Sequence, residues 1–160
     1  MRPTHTPQDP DYSQRVHASF GSQAMMRTFG IEISDLGPGW VEVEFPHNED
    51  FTQQNGYAHA AVIAAAMDSA CGYAAYSLTP PGSDVLTVEY KINLLRPGRA
   101  ERYVVHAWVV KPGRTLTVCQ ASAQATGDDH AIAVMTATVF TTATADRSGT
   151  ARSRSHRQSR

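Results

Sequence analysis

The chain has 160 residues, of which 41% are apolar and 18% are charged, so it can bury the core of one globular domain and is not a disordered chain. Its formal net charge is −1, but residues 145–160 carry +4 and the rest carries −5. An acidic body argues against a nucleic-acid-binding face, which needs a basic surface, so no nucleic-acid partner is expected.

The cysteine count and the hydropathy of the chain indicate the cellular compartment in which we expect the protein. Cys71 and Cys119 are too few for a disulfide framework or a four-thiolate metal site, and no metal is expected. Residues 1–11 lack the apolar segment of a secretory signal. The longest apolar run, 60–67, is far shorter than the roughly 20 residues that cross a bilayer. We therefore expect a soluble cytoplasmic protein without membrane contact.

The first half of the chain predicts a flexible N-terminus, a helix and two strands. Residues 1–11 are rich in proline and aspartate and are expected to be flexible. Apolar side chains recur at helical spacing over 12–29, and Gly30 is a typical helix stop. Short strands are predicted over 31–36 and 40–45, around a Gly-Pro-Gly turn.

A polar loop over 47–56 precedes an alanine-rich segment, HAAVIAAAMDSACGYAAYSL, at 59–78. Its alanines favour a helix, and a helix that is apolar on all sides must be enclosed by other elements. Its side chains are mostly small, so a sheet can approach the helix axis closely. Pro80 and Pro81 end the helix.

The remaining elements are predicted as strands joined by short turns. The predicted strands are 86–94, 101–111, 115–126 and 131–142. In the first of them, Leu86, Val88, Tyr90, Ile92 and Leu94 alternate with polar residues. This order predicts an α+β domain over 12–142, in which a curved antiparallel sheet with a four-strand meander wraps a central helix. Residues 143–160 are predicted to form a disordered basic tail.

Asp68 is the only charged side chain between Ala60 and Leu78. Burying a carboxylate without partners costs several kcal/mol, so this position requires either a hydrogen-bonded structural role or a function. Loss of solvent raises the basicity of a carboxylate, which suits a general base or nucleophile. The residues alone leave both interpretations open.

His59 is a candidate partner for Asp68, but one helix cannot bring the two together. Nine residues correspond to about 13.5 Å of rise and about 180° of rotation. Either the two side chains are unrelated, or a second copy of the chain completes the site across a two-fold axis.

The start of the same helix offers hydrogen-bond donors. The backbone N–H groups of Ala60 and Ala61 lie in its first turn, where the helix dipole is positive and an oxyanion is stabilised. Amides of the preceding loop, at Gln53, Asn55 and Gly56, can orient water or a substrate. A solvated loop and a simple capping role for His59 remain open as alternatives.

The segments FTQQNGYAHAAVIAAAMDSACGYAAYSLTPPG and VLTVEYKINLLRPG resemble the PaaI-like hotdog-fold acyl-CoA thioesterases. The resemblance covers residues 20–141 and rests on a polar loop, a histidine, two small residues and an acid nine residues after the histidine. It implies a hotdog fold that assembles as a dimer or a dimer of dimers, with each active site shared between two subunits.

The resemblance also implies roles for individual residues. Asp68 would act as general base or nucleophile, and the Ala60 N–H would polarise the thioester carbonyl. Gln53 would position water or substrate, and Thr87 corresponds to a hydroxyl residue close to the acid. No cofactor is implied, since coenzyme A is part of the substrate.

Many members of that family have His-Gly-Gly where this chain has His59-Ala60-Ala61. The methyl groups narrow the approach of the substrate but leave the backbone donor of Ala60 in place. The candidate contacts to the phosphates of coenzyme A are four cations near the two Pro-Gly-Arg turns: Arg96, Arg99, Lys111 and Arg114.

Two further functions are compatible with the sequence. A hotdog hydratase or dehydratase also acts on acyl thioesters and would require His59 as a catalytic residue. A non-catalytic acyl-CoA-binding module would use the same fold, but it has no need of a carboxylate on a buried helix.

Overall fold

A computed structural model describes residues 4–143, which form one sheet and three α-helices. The helices are α1 (Tyr12–Ser22), α2 (Ala24–Phe29) and α3 (Ala60–Tyr76). The strands are β1 (Glu32–Gly37), β2 (Trp40–Pro46), β3 (Ser83–Leu94), β4 (Arg102–Lys111), β5 (Leu116–Ala125) and β6 (Ala131–Ala143). A short 3-10 turn, Glu49–Phe51, lies in the loop before α3.

The six strands form one antiparallel sheet in the order β1-β2-β4-β5-β6-β3. Helix α3 lies on one face of this sheet and contacts β2, β3, β4, β5 and β6. The predicted fold class, an α+β hotdog domain with a sheet around a central helix, is confirmed.

The core lies between α3 and the inner face of the sheet. Ala66, Ala70 and Ala74 of α3 are fully buried, and Val43 and Val105 of the sheet are buried with them. Because these helix side chains are small, the strands approach the helix closely. Burial of apolar surface at about 25 cal/mol per Å² makes this contact the main source of stability.

The predicted four-strand meander is wrong at one connection. Strand β3 pairs with β6, and β4 pairs with β2 and β5, so the segment after β3 crosses the sheet instead of turning back. The Gly98 carbonyl accepts a hydrogen bond from the Ala58 N–H at 2.9 Å, and a Cβ at Gly98 would lie 3.3 Å from the Ala58 Cβ. This glycine lets the crossing segment pass directly beneath the start of α3. A Pro-Gly turn does not specify whether its strands pair.

The predicted alternation of β3 is also interrupted. A bulge between Thr87 and Glu89 places Tyr90 and Ile92 opposite Ala137 and Met135 of the inner face. Thr87 lies opposite Val139, which is also on that inner face. A bulge adds one residue to one strand and so changes which side chains face the helix. The bulge therefore brings Thr87 to the side of α3.

The single helix predicted over 12–29 is divided in two. Gln23 has extended backbone angles (φ −74°, ψ 112°), which end α1 and start α2. Gly30 adopts the left-handed conformation (φ 65°) and ends α2, as the sequence predicts.

The N-terminal segment from Thr4 contacts the body of the domain. The Gln8 side chain donates to the Leu78 carbonyl at 3.1 Å, and the Asp9 carboxylate is buried and bonded to Arg15. Residues 1–3 and 144–160, which include almost all of the predicted basic tail, lie outside the described residues. Over 4–143, every helix is too short or too polar to cross a bilayer.

Arg15 joins α1 to the C-terminal end of α3. Its guanidinium donates to the Thr79 carbonyl at 2.8 Å and to the Tyr76 carbonyl at 3.4 Å, lies over the Tyr76 ring at 4.3 Å, and pairs with Asp9 at 2.8 Å. A lysine cannot make this planar set of bonds. We expect Arg15→Lys to lower the free energy of unfolding by about 1–3 kcal/mol in urea denaturation.

The matched control is Arg27→Lys. Arg27 is exposed, and its single described hydrogen bond is to the Gly21 carbonyl at 2.8 Å. We expect this variant to unfold within about 0.5 kcal/mol of the wild type. Equal effects of the two substitutions would contradict the role of Arg15 in joining α1 to the end of α3.

Candidate active site

Asp68 lies on α3, half-buried, at the position where β3 bulges. Its Oδ1 accepts a hydrogen bond from the Thr87 Oγ1 at 2.7 Å, and its Oδ2 has no hydrogen-bond partner within residues 4–143. Burial raises the pKa of Asp68 above its ordinary value, and the hydrogen bond from Thr87 partly opposes that effect. The carboxylate is therefore oriented by one neighbour and retains an oxygen for another group.

A cavity of about 330 Å³ lies beside Asp68 and is called the acid cavity below. Besides Asp68 and Thr87, polar side chains of α1, α3, β3 and the junction between α1 and α2 line it: Ser19, Ser22, Gln23, Ser69, Tyr73, Tyr76 and Asp84. The hydroxyl groups of Ser19 and Tyr73 are hydrogen-bonded at 3.1 Å. Ser19, Tyr73 and Asp84 are contributions that the sequence did not predict, since no pattern in the chain relates α1 to the start of β3.

The start of α3 presents one unused donor. The His59 Nδ1 accepts a hydrogen bond from the Ala61 N–H at 3.0 Å, and the His59 carbonyl accepts from the Val62 N–H at 3.0 Å. Within the described chain, the Ala60 N–H has no hydrogen-bond partner. His59 is therefore the N-cap of α3, and Ala60 has the backbone group that can bind an oxyanion.

The loop before α3 is held by its own hydrogen bonds. The Gln53 Oε1 accepts from the Asn55 N–H, and the Gln53 N–H donates to the Tyr57 carbonyl at 2.9 Å. Gly56 has φ 77°, a conformation that favours glycine. These contacts hold the Gln53 side chain close to the start of α3.

A second cavity of about 440 Å³, called the amide cavity below, lies at this end of α3. Gln53 and Ala60 line it together with the apolar side chains of Ile63, Leu94 and Leu95, and Arg96 lies at its border. It is more apolar than the acid cavity. It places two of the predicted site residues, Gln53 and Ala60, together.

The four predicted phosphate contacts are distributed over both ends of the domain. Arg96 borders the amide cavity, and Arg99 borders an adjoining open cavity with His47 and Glu101. Arg114 lies in a cleft with Leu78 and Thr79, beyond the other end of α3. Lys111 is exposed at the end of β4. Only Arg96 and Arg99 therefore lie near Ala60 in the same chain.

Asp68 and the Ala60 N–H cannot act on the same carbonyl group within one chain. Their separation of eight positions corresponds to about 12 Å along α3 and about 80° around it. The acid cavity borders the first half of β3, at Asp84 and Thr87, whereas the amide cavity borders its end, at Leu94. One chain thus has two separate half-sites, placed at opposite halves of the same strand.

Strand β3 has an open edge. In the described part of the chain it pairs only with β6, and it is twelve residues long. Val88, Tyr90 and Leu94 are exposed on it. A long apolar edge strand with unpaired backbone groups is a surface for pairing with another strand.

The sequence and the fold are similar to those of known proteins. Residues 55–132 match the model of the thioesterase superfamily. A presumed esterase of Saccharolobus solfataricus is 35% identical over 108 residues, which are 68% of this chain and 71% of that protein.

Two solved structures also match this chain, one in sequence and fold and the other in fold. A thioesterase family protein from Silicibacter pomeroyi has 48% sequence identity and a TM-score of 0.81, and the match covers 82% of this chain and 98% of that one. The Escherichia coli PaaI protein, from the phenylacetic acid degradation operon, has a TM-score of 0.76 at 20% identity, over 83% of this chain and 94% of its own. At that identity the similarity to the PaaI protein is one of fold.

The raised pKa of Asp68 predicts a stability effect that requires no substrate. Because the folded-state pKa lies above the ordinary value of 3.8, the ionised carboxylate destabilises the fold at pH 7–8, and this cost disappears below pH 3.8, where both states are protonated. We expect Asp68→Asn, which keeps an acceptor for Thr87, to raise the urea midpoint at pH 7.5 and to lose that advantage towards pH 3.5.

The control for this measurement is Asp129→Asn, which removes an exposed carboxylate in the β5–β6 turn. We expect its urea midpoint to remain within error of the wild type at pH 7.5. A midpoint of Asp68→Asn below that of the wild type at pH 7.5 would show that the ionised carboxylate stabilises the fold, contrary to this interpretation.

Proposed function

Since this chain belongs to the thioesterase superfamily and is a thioester hydrolase, we propose that it hydrolyses an acyl-CoA or aryl-CoA thioester to the free acid and coenzyme A. The observation that carries the proposal is the half-buried Asp68 carboxylate, oriented by Thr87 and bordering a cavity. Partial burial of a carboxylate costs stability, and a desolvated carboxylate beside a cavity is typical of a functional site.

The complete site requires a second copy of the chain. If the open edges of two β3 strands pair in antiparallel fashion, a two-fold axis relates the copies and the first half of one β3 lies beside the end of the other. The acid cavity of each chain then adjoins the amide cavity of its partner. The exposed apolar side chains of β3 and its unpaired edge support this homodimer. A further pairing into a homotetramer is compatible with it.

In the combined site, Asp68 accepts a proton from a water molecule whose oxygen attacks the thioester carbonyl carbon. The negative charge that develops on the carbonyl oxygen is stabilised by the Ala60 N–H of the second copy, at the positive end of α3. When the carbon–sulfur bond breaks, the thiolate of coenzyme A takes the proton from Asp68. Direct attack by the carboxylate, followed by hydrolysis of the anhydride, uses the same groups.

The remaining predicted residues have supporting roles in this proposal. Gln53 orients water or the thioester, and Asn55 and Gly56 hold the loop that carries it. Arg96 and Arg99 lie on the side of the amide cavity, where they can bind the phosphates of coenzyme A. No metal or other cofactor enters the reaction, and a cytoplasmic location stays a prediction.

The position of His59 favours hydrolysis over hydration. A hydratase needs this imidazole as a catalytic group, whereas its Nδ1 here caps the first turn of α3. A hydratase leaves the thioester intact, so release of free thiol distinguishes the two reactions.

We expect Asp68→Asn to lower kcat for acyl-CoA hydrolysis by at least about 100-fold, because the amide cannot accept the proton. A coupled assay of free thiol measures the rate. Asp129→Asn, with the same change in charge, should retain wild-type turnover. For the wild type, kcat/KM should fall with decreasing pH through a pKa above 3.8, the ordinary value for aspartate. Unaltered turnover of Asp68→Asn would refute the assignment.

Ala60→Pro tests the oxyanion donor. Proline is tolerated at the first position of a helix, and His59 already has the extended angles (φ −65°, ψ 139°) that proline requires before it. The substitution removes the N–H group and puts the proline Cδ in its place, so we expect a folded protein with kcat lowered by about 100-fold or more. Circular dichroism reports the fold.

Mixed dimers then test the shared site. Asp68→Asn and Ala60→Pro chains, co-expressed with two different tags and purified as mixed dimers, contain one site with both substitutions and one intact site. We expect about half of the wild-type activity per dimer. If each chain carried its own complete site, the mixed dimer would be as inactive as either parent.

A further inference from the structure

The lining of the acid cavity is unusual for a site that binds an acyl chain. Five hydroxyl-bearing residues line it, Ser19 and Ser22 of α1, Ser69 and Tyr73 of α3, and Thr87 of β3, whereas its bulkier lining side chains besides Tyr73 are those of Tyr76 and Val85. A pocket for a long alkyl chain would be lined by apolar side chains instead, because each buried methylene gains about 0.8 kcal/mol from leaving water. The volume of about 330 Å³ is also small. The cavity therefore fits a short group that forms hydrogen bonds.

A second carboxylate, that of Asp84, also borders this cavity. Its Oδ1 accepts a hydrogen bond from the Val85 N–H at 2.8 Å, which holds the side chain at the start of β3. Burial is the main cause that raises the pKa of Tyr73; the hydrogen bond with Ser19 opposes it, and the charges of Tyr76 and Asp84 add to it. The acid cavity thus contains two acids, Asp68 and Asp84.

No lysine, arginine or histidine is among the residues that line the acid cavity in the described chain. Arg15 lies over the Tyr76 ring, but it is already paired with Asp9 and bonded to the carbonyls at the end of α3. A negatively charged group that entered the cavity would therefore meet two carboxylates and no compensating cation. Like charges brought into one cavity repel each other, although the exposure of Asp84 to solvent screens part of its charge.

The cations lie on the other side of the combined site. Arg96 borders the amide cavity and Arg99 the adjoining one. The phosphates of coenzyme A require cations, so the coenzyme arm extends towards the amide cavity. The acyl group, on the opposite side of the thioester carbonyl, then enters the acid cavity.

We propose, on the basis of the proposed thioesterase function, that the substrate carries a short, uncharged acyl group with a hydroxyl substituent, and that Asp84 is a specificity-determining residue that excludes acyl groups bearing a second carboxylate. The hydroxyl of such an acyl group hydrogen-bonds to the Ser19–Tyr73 pair. Asp84 does not take part in the chemical step, which belongs to Asp68.

Three four-carbon probes of similar size test this inference: butanoyl-CoA, 3-hydroxybutanoyl-CoA and succinyl-CoA. Release of free thiol is measured with each, after subtraction of the rate without enzyme. For the wild type we expect kcat/KM to be highest for 3-hydroxybutanoyl-CoA and at least about tenfold lower for succinyl-CoA than for butanoyl-CoA, which is the effect of a partly screened charge repulsion.

Asp84→Asn keeps the acceptor for the Val85 N–H and removes the charge. We expect it to raise the succinyl-to-butanoyl ratio of kcat/KM about tenfold. Asp129→Asn, which removes a charge outside the cavity, should leave the ratio unchanged. Tyr73→Phe should lower the hydroxybutanoyl-to-butanoyl ratio by about fivefold and leave the succinyl-to-butanoyl ratio within about twofold of the wild type.

The outcomes separate this inference from the proposed function. If the wild type hydrolyses butanoyl-CoA, but Asp84→Asn and Asp129→Asn give the same succinyl-to-butanoyl ratio, the role of Asp84 is refuted while the thioesterase proposal stands. If no CoA ester of any acyl chemistry releases thiol, the thioesterase proposal fails and this inference fails with it.

Discussion

The structure depends on one constraint, the placement of a carboxylate on a helix that is otherwise packed into the core. Asp68 is half-buried, and the hydrogen bond from Thr87 is the contact that orients it. That bond exists because β3 bulges and turns Thr87 towards α3. A local irregularity in a strand thereby orients a carboxylate on a helix, and the partial desolvation of that acid costs stability.

In the proposed mechanism, α3 separates the Ala60 N–H and the Asp68 carboxylate by too great a distance for one chain to use both. The Ala60 N–H is at the start of α3, and Asp68 lies more than two turns further along. Each group has its own cavity, and each cavity borders a different half of β3. In the proposed homodimer, pairing of the β3 edges brings the two groups together, since it inverts one strand relative to the other. One interface would then serve both assembly and catalysis.

Several features of the fold and site could be predicted from the sequence. The apolar, alanine-rich helix with its lone acid, the capping position of His59 and the period-two strands all depend on neighbours within a few residues. The bulge in β3 could not be predicted, because Leu86 to Leu94 alternate without interruption in the sequence. Strand partners could not be predicted either, since hydrophobic alternation specifies which face is buried and not which strand lies alongside.

By itself, the sequence determined the element types, the central helix and the identity of its acid, because helical and strand periodicity and burial cost are local properties of the chain. Only the tertiary structure decided that β3 lies at the sheet edge beside β6, that Thr87 faces Asp68, and that Ser19, Tyr73 and Asp84 line the acid cavity. These residues come from α1, α3 and β3, so their proximity arises from packing between distant segments. Local sequence patterns cannot predict such contacts, because they form only when distant segments pack together in the core.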